Sequence, residues 1–87
     1  MAQPVWLITR YSSGLGLALA KAALAAGHRV IATSRNPSKT PESVAEIEQT
    51  TNGRWIPLDV TAQDLEQQLE ACIKVFGQVD VLVNNAG

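Results

Sequence analysis

The 87-residue sequence holds one cysteine, Cys72, and one histidine, His28. A single cysteine excludes an internal disulfide and a cysteine-based zinc cluster, and so few soft ligands argue against a dedicated transition-metal site. An excess of either charge sign is also missing: net charge is −1, and the seven Lys and Arg residues are scattered singly. Binding to a phosphate backbone needs a basic patch, so no nucleic-acid partner is expected. Long apolar runs are lacking as well, since Leu15 to Ala26, the longest, is broken by Gly16 and Lys21 and is too short to span a bilayer. The opening MAQPVWLIT has no basic segment ahead of its apolar residues and does not read as a secretory signal. No membrane partner and a cytoplasmic location follow as expectations. What remains, with 46% hydrophobic and 17% charged residues, is ordinary globular composition for at most one domain.

Within that frame four short apolar runs alternate with helical patterns. Val5 to Thr9 reads as a strand buried on both faces of a parallel sheet. LGLALAKAALAA, Leu15 to Ala26, is apolar nearly all round and closes on Gly27, the residue type that a left-handed helix end requires. VIATS, Val30 to Ser34, predicts a second strand. Beyond it, RNPSKTPES reads as a loop, then a helix with Thr40 as N-cap, Pro41 in its first turn and Val44 and Ile47 on its apolar side, stopped by Asn52-Gly53. RWIPLDV, Arg54 to Val60, predicts the third strand, and Pro57 within it argues for a sheet edge because proline donates no ladder hydrogen bond. Thr61 with Asp64 predicts a helix start, followed on one face by Leu65, Leu69, Cys72, Ile73 and Phe76 up to Gly77. VDVLV, Val79 to Val83, predicts the fourth strand. The order βαβαβαβ implies a doubly wound parallel sheet with right-handed crossovers, and the strand order 3-2-1-4 would put Pro57 on an edge. Trp6, Trp55 and Phe76 read as core or sheet-flank residues, Cys72 as a helix residue turned inward and His28 as a surface residue.

The turn TRYSSGLG, Thr9 to Gly16, joins the first strand to the first helix. A helix N-terminus behind such a turn offers free N–H groups and a positive dipole end, hence an anion site. Gly14 and Gly16 allow close approach of the backbone to a pyrophosphate, although two glycines can equally serve a tight turn alone. The second strand ends in Thr33, Ser34 and Arg35 without the carboxylate that would accept hydrogen bonds from a ribose 2′-hydroxyl. A guanidinium there suits a 2′-phosphate, so NADP is preferred over NAD, the plain alternative being a solvated loop charge.

TRYSSGLG resembles the TGxxxGxG loop of the short-chain dehydrogenase/reductase family, while LDVT (Leu58 to Thr61) and NNAG (Asn84 to Gly87) resemble two further motifs of that family. The resemblance covers essentially the whole chain and implies a Rossmann-like NAD(P)-binding half over residues 1–87. By that resemblance Ser12, Gly14, Leu15 and Gly16 line the cofactor phosphates. Asp59 and Val60 border the adenine, and Asn84, Asn85, Ala86 and Gly87 pack along the adenosine. Arg10 departs from the family's glycine. If that position needs positive φ, a side chain there costs roughly 1–2 kcal/mol, so impaired binding is expected unless Arg10 itself reaches a phosphate.

The same resemblance implies a catalytic Ser and a Tyr-x-x-x-Lys pair acting on a small carbonyl or alcohol substrate. Neither is present: Tyr11 is the only tyrosine, and position 15 is Leu rather than Lys. No catalytic residue is therefore assigned. The expectation is the cofactor-binding part of an NADP-dependent oxidoreductase, truncated after the fourth strand. The alternative is a non-catalytic nucleotide-binding remnant or incomplete gene product. A bare fourth strand is also expected to allow self-association.

Overall fold

A computed structural model describes residues 3–9, 14–59 and 63–84. Four strands and three α-helices follow one another as β1 (Val5–Thr9), α1 (Gly14–Ala25), β2 (Arg29–Ser34), α2 (Pro41–Glu48), β3 (Gly53–Pro57), α3 (Leu65–Phe76) and β4 (Val81–Asn84). A single 3-10 turn, Pro37–Lys39, lies between β2 and α2. The strands form one parallel sheet in the order β3-β2-β1-β4, with β1 in register with β2 (Leu7 beside Ile31) and with β4 (Leu7 beside Leu82). The doubly wound α/β reading and the edge position of Pro57 are thus the observed ones.

Alternation along each strand divides the core into two layers. On one face Ile8, Val30, Ala32 and Trp55 meet Ala20 and Ala23 of α1 and Ile47 of α2. On the other, Val5, Leu7 and Ile31 meet Cys72 of α3, with Leu69, Val75 and Phe76 around it. Two small alanines on the inner side of α1 let that helix sit close to the strands, as its all-round apolar sequence requires. The α3 face has only one helix above it. Leu82 of β4 shares the parity of Leu7 yet stays 62% exposed.

The helix ends follow from particular residues. Gly27 takes φ +83°, its N–H donates to the Leu24 carbonyl and the His28 N–H to that of Ala23. This paired closure, with glycine in the left-handed region, stops α1 at Ala25. Gly77, also at φ +83°, donates to the Ile73 carbonyl and ends α3. Gly53 opens β3 against α2, where a Cβ would collide with the Ile47 main-chain carbonyl.

Four boundary expectations need correction. The third strand stops at Pro57 rather than Val60, with the Leu58 N–H beyond it still reaching β2 at the Ser34 carbonyl. The fourth begins at Val81 rather than Val79. There Asp80 is drawn into a clasp with Val5, its N–H on the Val5 carbonyl and its carboxylate on the Val5 N–H at 2.8 Å. The third helix starts at Leu65, not Thr61, and Asp64 before it makes no side-chain cap. The Asp64 carboxylate instead accepts from Gln68 Nε2 at 2.7 Å, a pairing one helical turn apart. Thr40 stands at the N-cap of α2 without capping it, since the preceding 3-10 turn takes its N–H on the Pro37 carbonyl and leaves its hydroxyl buried without a partner. Thr61 itself lies outside the described residues.

Candidate functional site

In a parallel sheet all strands point the same way, so the C-terminal ends of β1, β2, β3 and β4 share one edge. At that edge lie Thr9, Arg35, Asp59, Asn84 and the first turn of α1. The sequence separates these residues by tens of positions, and the crossovers gather them.

α1 begins at Gly14, so Gly14, Leu15 and Gly16 occupy its first turn directly beyond β1, with Gly16 buried. N–H groups of a first helical turn have no intrahelical acceptors and face the loop ahead of them. No acidic side chain stands in that turn to take them. An anion is the chemistry this arrangement accepts. Arg35 follows β2 immediately and is exposed, with no ion pair among the described residues. The neighbouring Ser34 hydroxyl accepts from Trp55 Nε1 at 2.9 Å, which fixes the end of β2 to β3.

Asp59 ends the β3 side of the edge. Its N–H donates to Gln68 Oε1 at 2.9 Å, and Gln68 in turn holds Asp64, so one α3 side chain joins both ends of the turn between β3 and α3. The Thr9 hydroxyl donates to the Val83 carbonyl at 3.3 Å, and the buried Thr33 hydroxyl to that of Ile8 at 3.1 Å. These bonds fasten β4 to β1 and β2 to β1 just below the edge. Sequence reasoning missed Gln68, Trp55 and Thr33 as supports of the site. The four-residue spacing of Asp64 and Gln68 was the available signal for the first.

Ser12, Val60, Asn85, Ala86 and Gly87, together with Arg10 and Tyr11, lie outside the described residues. Of the other candidates, Gly14, Leu15, Gly16, Arg35 and Asp59 come to one edge with Asn84, the last residue of β4. His28 sits at the opposite end of the sheet, where its Nδ1 accepts from Trp6 Nε1 at 3.1 Å. Cys72 is buried, and that burial pushes its thiol up, which keeps it protonated and unsuited to nucleophilic work. Among the described residues no three His, Cys, Asp or Glu side chains group for a metal, and no helix is long and apolar enough to cross a membrane. A hollow of about 220 Å³ between α1 and α2, bordered by the Lys21–Glu46 ion pair, is a shallow interhelix groove away from this edge.

Comparison with known proteins agrees with the geometry. The short chain dehydrogenase family profile matches residues 4–87. The chain is 50% identical over 82 residues to Oxidoreductase claN of Passalora fulva, covering 94% of this chain and 37% of claN. It is 40% identical to the 3-oxoacyl-[acyl-carrier-protein] reductase FabG of Salmonella typhimurium, covering 93% and 33%. Among solved structures, a short-chain dehydrogenase from Streptomyces avermitilis superposes with TM-score 0.79 at 42% identity, over 99% of this chain and 31% of that one. A metagenomic short-chain oxidoreductase in complex with NADP superposes with TM-score 0.76 at 30% identity, over 100% and 40%. The chain therefore spans 31% to 40% of the length of these relatives.

Proposed function

The chain belongs to the short-chain dehydrogenase family, and we propose that it is the dinucleotide-binding part of an NADP-dependent oxidoreductase. One observation carries the reading: the N-terminus of α1 and the exposed guanidinium of Arg35, which has no ion pair among the described residues, stand on the same sheet edge, with no carboxylate at the end of β2. The first suits a pyrophosphate and the second a ribose 2′-phosphate. A similar structure that holds NADP supports the choice of cofactor.

In this reading Ser12, Gly14, Leu15 and Gly16 hold the phosphates, and Arg35 pairs with the 2′-phosphate. Asp59 and Val60 border the adenine, while Asn84, Asn85, Ala86 and Gly87 run along the adenosine. A nicotinamide cofactor supplies a hydride or accepts one when bound. The chain's own residues bind and orient; none of them relays a proton to a carbonyl, because the only tyrosine is Tyr11 and Leu15 stands where a paired lysine would be. A small carbonyl or alcohol substrate belongs to the whole oxidoreductase.

Titration with NADPH and NADH, followed by nicotinamide fluorescence, tests this. NADPH should bind more tightly, and Arg35→Ala should remove most of the difference. Equal affinities before mutation would overturn the role of Arg35, and no binding of either would overturn the site. Incubation with NADPH and a panel of aldehydes and ketones should give no turnover above a heat-treated control.

A further inference from the structure

Trp55 and Ser34 meet at the end of β2. Ser34 follows Ala32 at the two-residue period of the strand and so faces the side of the sheet that α1 and α2 cover. Trp55, 7% exposed, lies beside Ala32 in the adjacent strand and belongs to the same buried cluster as Ile47. Its main-chain N–H donates to the Glu48 carboxylate at 3.1 Å, and its indole Nε1 donates to Ser34 Oγ at 2.9 Å. The residue is thus tied to α2 and buried among its neighbours, so packing sets the direction of its indole N–H.

The chemistry of the two groups decides what the hydroxyl does next. An indole N–H only donates, so Ser34 Oγ must accept, and its own proton has to go elsewhere. No described residue takes that proton: the Ser34 carbonyl accepts from the Leu58 N–H, and the hydroxyl makes no second bond among the described residues. Ser34 is half-buried and directly precedes exposed Arg35. A hydroxyl donor and a guanidinium are therefore consecutive on the sheet edge that also carries the first turn of α1, and the hydroxyl stands on the α1 side of the sheet.

We propose that Trp55 is a positioning residue for cofactor choice: by donating to Ser34 Oγ, it commits the Ser34 hydroxyl to donate to the ribose 2′-phosphate that Arg35 pairs with. The inference rests on the NADP reading above and adds two residues to it. A 2′-phosphate is a charged acceptor, so the Ser34 bond to it is charge-assisted, whereas a ribose 2′-hydroxyl is a neutral acceptor and gains less. Hydrogen bonds in a chain polarise one another: an oxygen that accepts from the indole is a better donor, and one that donates to an anion is a better acceptor. Trp55 therefore acts on selectivity without touching the nucleotide.

Titration of the protein with NADPH and NADH tests this through the ratio of the two affinities, which general destabilisation leaves unchanged. Ser34→Ala should lower the ratio by about tenfold, and Ser34→Thr should keep most of it. Trp55→Phe, which retains a ring but no N–H, should lower it by about threefold, with no further effect in the Ser34→Ala background. Proton NMR of the indole N–H groups reads the same bond in the unmodified protein. Of the two tryptophans, Trp55 should shift downfield with NADPH and far less with NADH, while Trp6, bonded to His28 at the far end of the sheet, stays in place. A ratio indifferent to Trp55→Phe, with an indole signal that both cofactors move alike, would overturn the inference; the role of Arg35 would still stand if Arg35→Ala removed the preference. Should Trp55→Phe fail to fold, the indole signal decides alone, and equal movement by the two cofactors overturns the inference. Equal affinities in the unmodified protein would overturn both.

Discussion

The two ends of the parallel sheet put their polar groups to opposite use. At the N-terminal end several such groups are spent on neighbours: Trp6 on His28, Asp80 on Val5 and Gln78, and the Arg29 guanidinium on the Phe76 ring at 5.2 Å. At the C-terminal end Ser34, Thr9 and Gln68 fix the strand ends from below, while Arg35 is exposed with no ion pair among the described residues. Both ends come from the same crossovers and the same strands. A polar group that satisfies another within the chain contributes to stability, whereas one left open is available to a ligand. The difference is therefore testable by asking which substitutions move stability and which move binding.

The largest stability effect should come from the N-terminal clasp. Asp80→Ala leaves the N–H of buried Val5 without its charged acceptor, which should cost about 1.5–3 kcal/mol in urea denaturation. Asp80→Asn keeps an acceptor of lower strength and should recover part of the loss. Cofactor preference should not change in either variant. A shift in the NADPH-to-NADH ratio would mean that the two ends are not separable in the way the contacts imply.

Gln68→Leu should sit between the ends. It removes the acceptor of the Asp59 N–H and the donor to Asp64, so stability should fall by about 1 kcal/mol. As the support of the turn that borders the proposed adenine site, Gln68 should also affect nucleotide affinity. Comparing NADPH with its hypoxanthine analogue separates the effects, because general destabilisation lowers both equally. Trp6→Phe is expected to cost about 0.5–1 kcal/mol through loss of the His28 bond, and a double-mutant cycle with His28→Ala would isolate that pair.

Much of this architecture was legible in the chain because it depends on local rules. Gly27 and Gly77 announce helix ends through the left-handed backbone that only glycine adopts freely, and both do so in the structure. Pro57 reports its edge by lacking a donor. Gly14 and Gly16 report a helix start, and α1 begins at Gly14. Contacts between distant residues were not legible. Asp64 looked like part of a capping box, but its carboxylate is taken by Gln68, and the helix starts later than the pattern suggests. Thr40 had the right residue type for a cap and lost the role to the turn before it. His28 read as plain surface, since nothing in the sequence shows that Trp6, in another strand, ends within hydrogen-bonding reach. The bond from the Trp55 N–H to the Glu48 carboxylate was invisible for the same reason.

The smallest stability effect should belong to the residue expected to matter most for the cofactor. Arg35 is exposed after β2 and makes no ion pair among the described residues. Removing its side chain thus breaks no ion pair among the described residues, and a surface substitution of this kind should shift stability by no more than about 0.5 kcal/mol. The same change should abolish most of the preference for NADPH, because a guanidinium–phosphate contact is charge-assisted and has no replacement at the end of β2. Arg35→Lys keeps the charge but not the planar fork, and should retain part of the preference. Raising ionic strength should narrow the NADPH-to-NADH ratio in the unmodified chain and leave it unchanged in Arg35→Ala. Urea midpoints measured beside the titrations give the decisive comparison. If Arg35→Ala lowered stability as much as Asp80→Ala, Arg35 would be a structural group, and the division between a closed end and an open end would fail at the residue that best defines it.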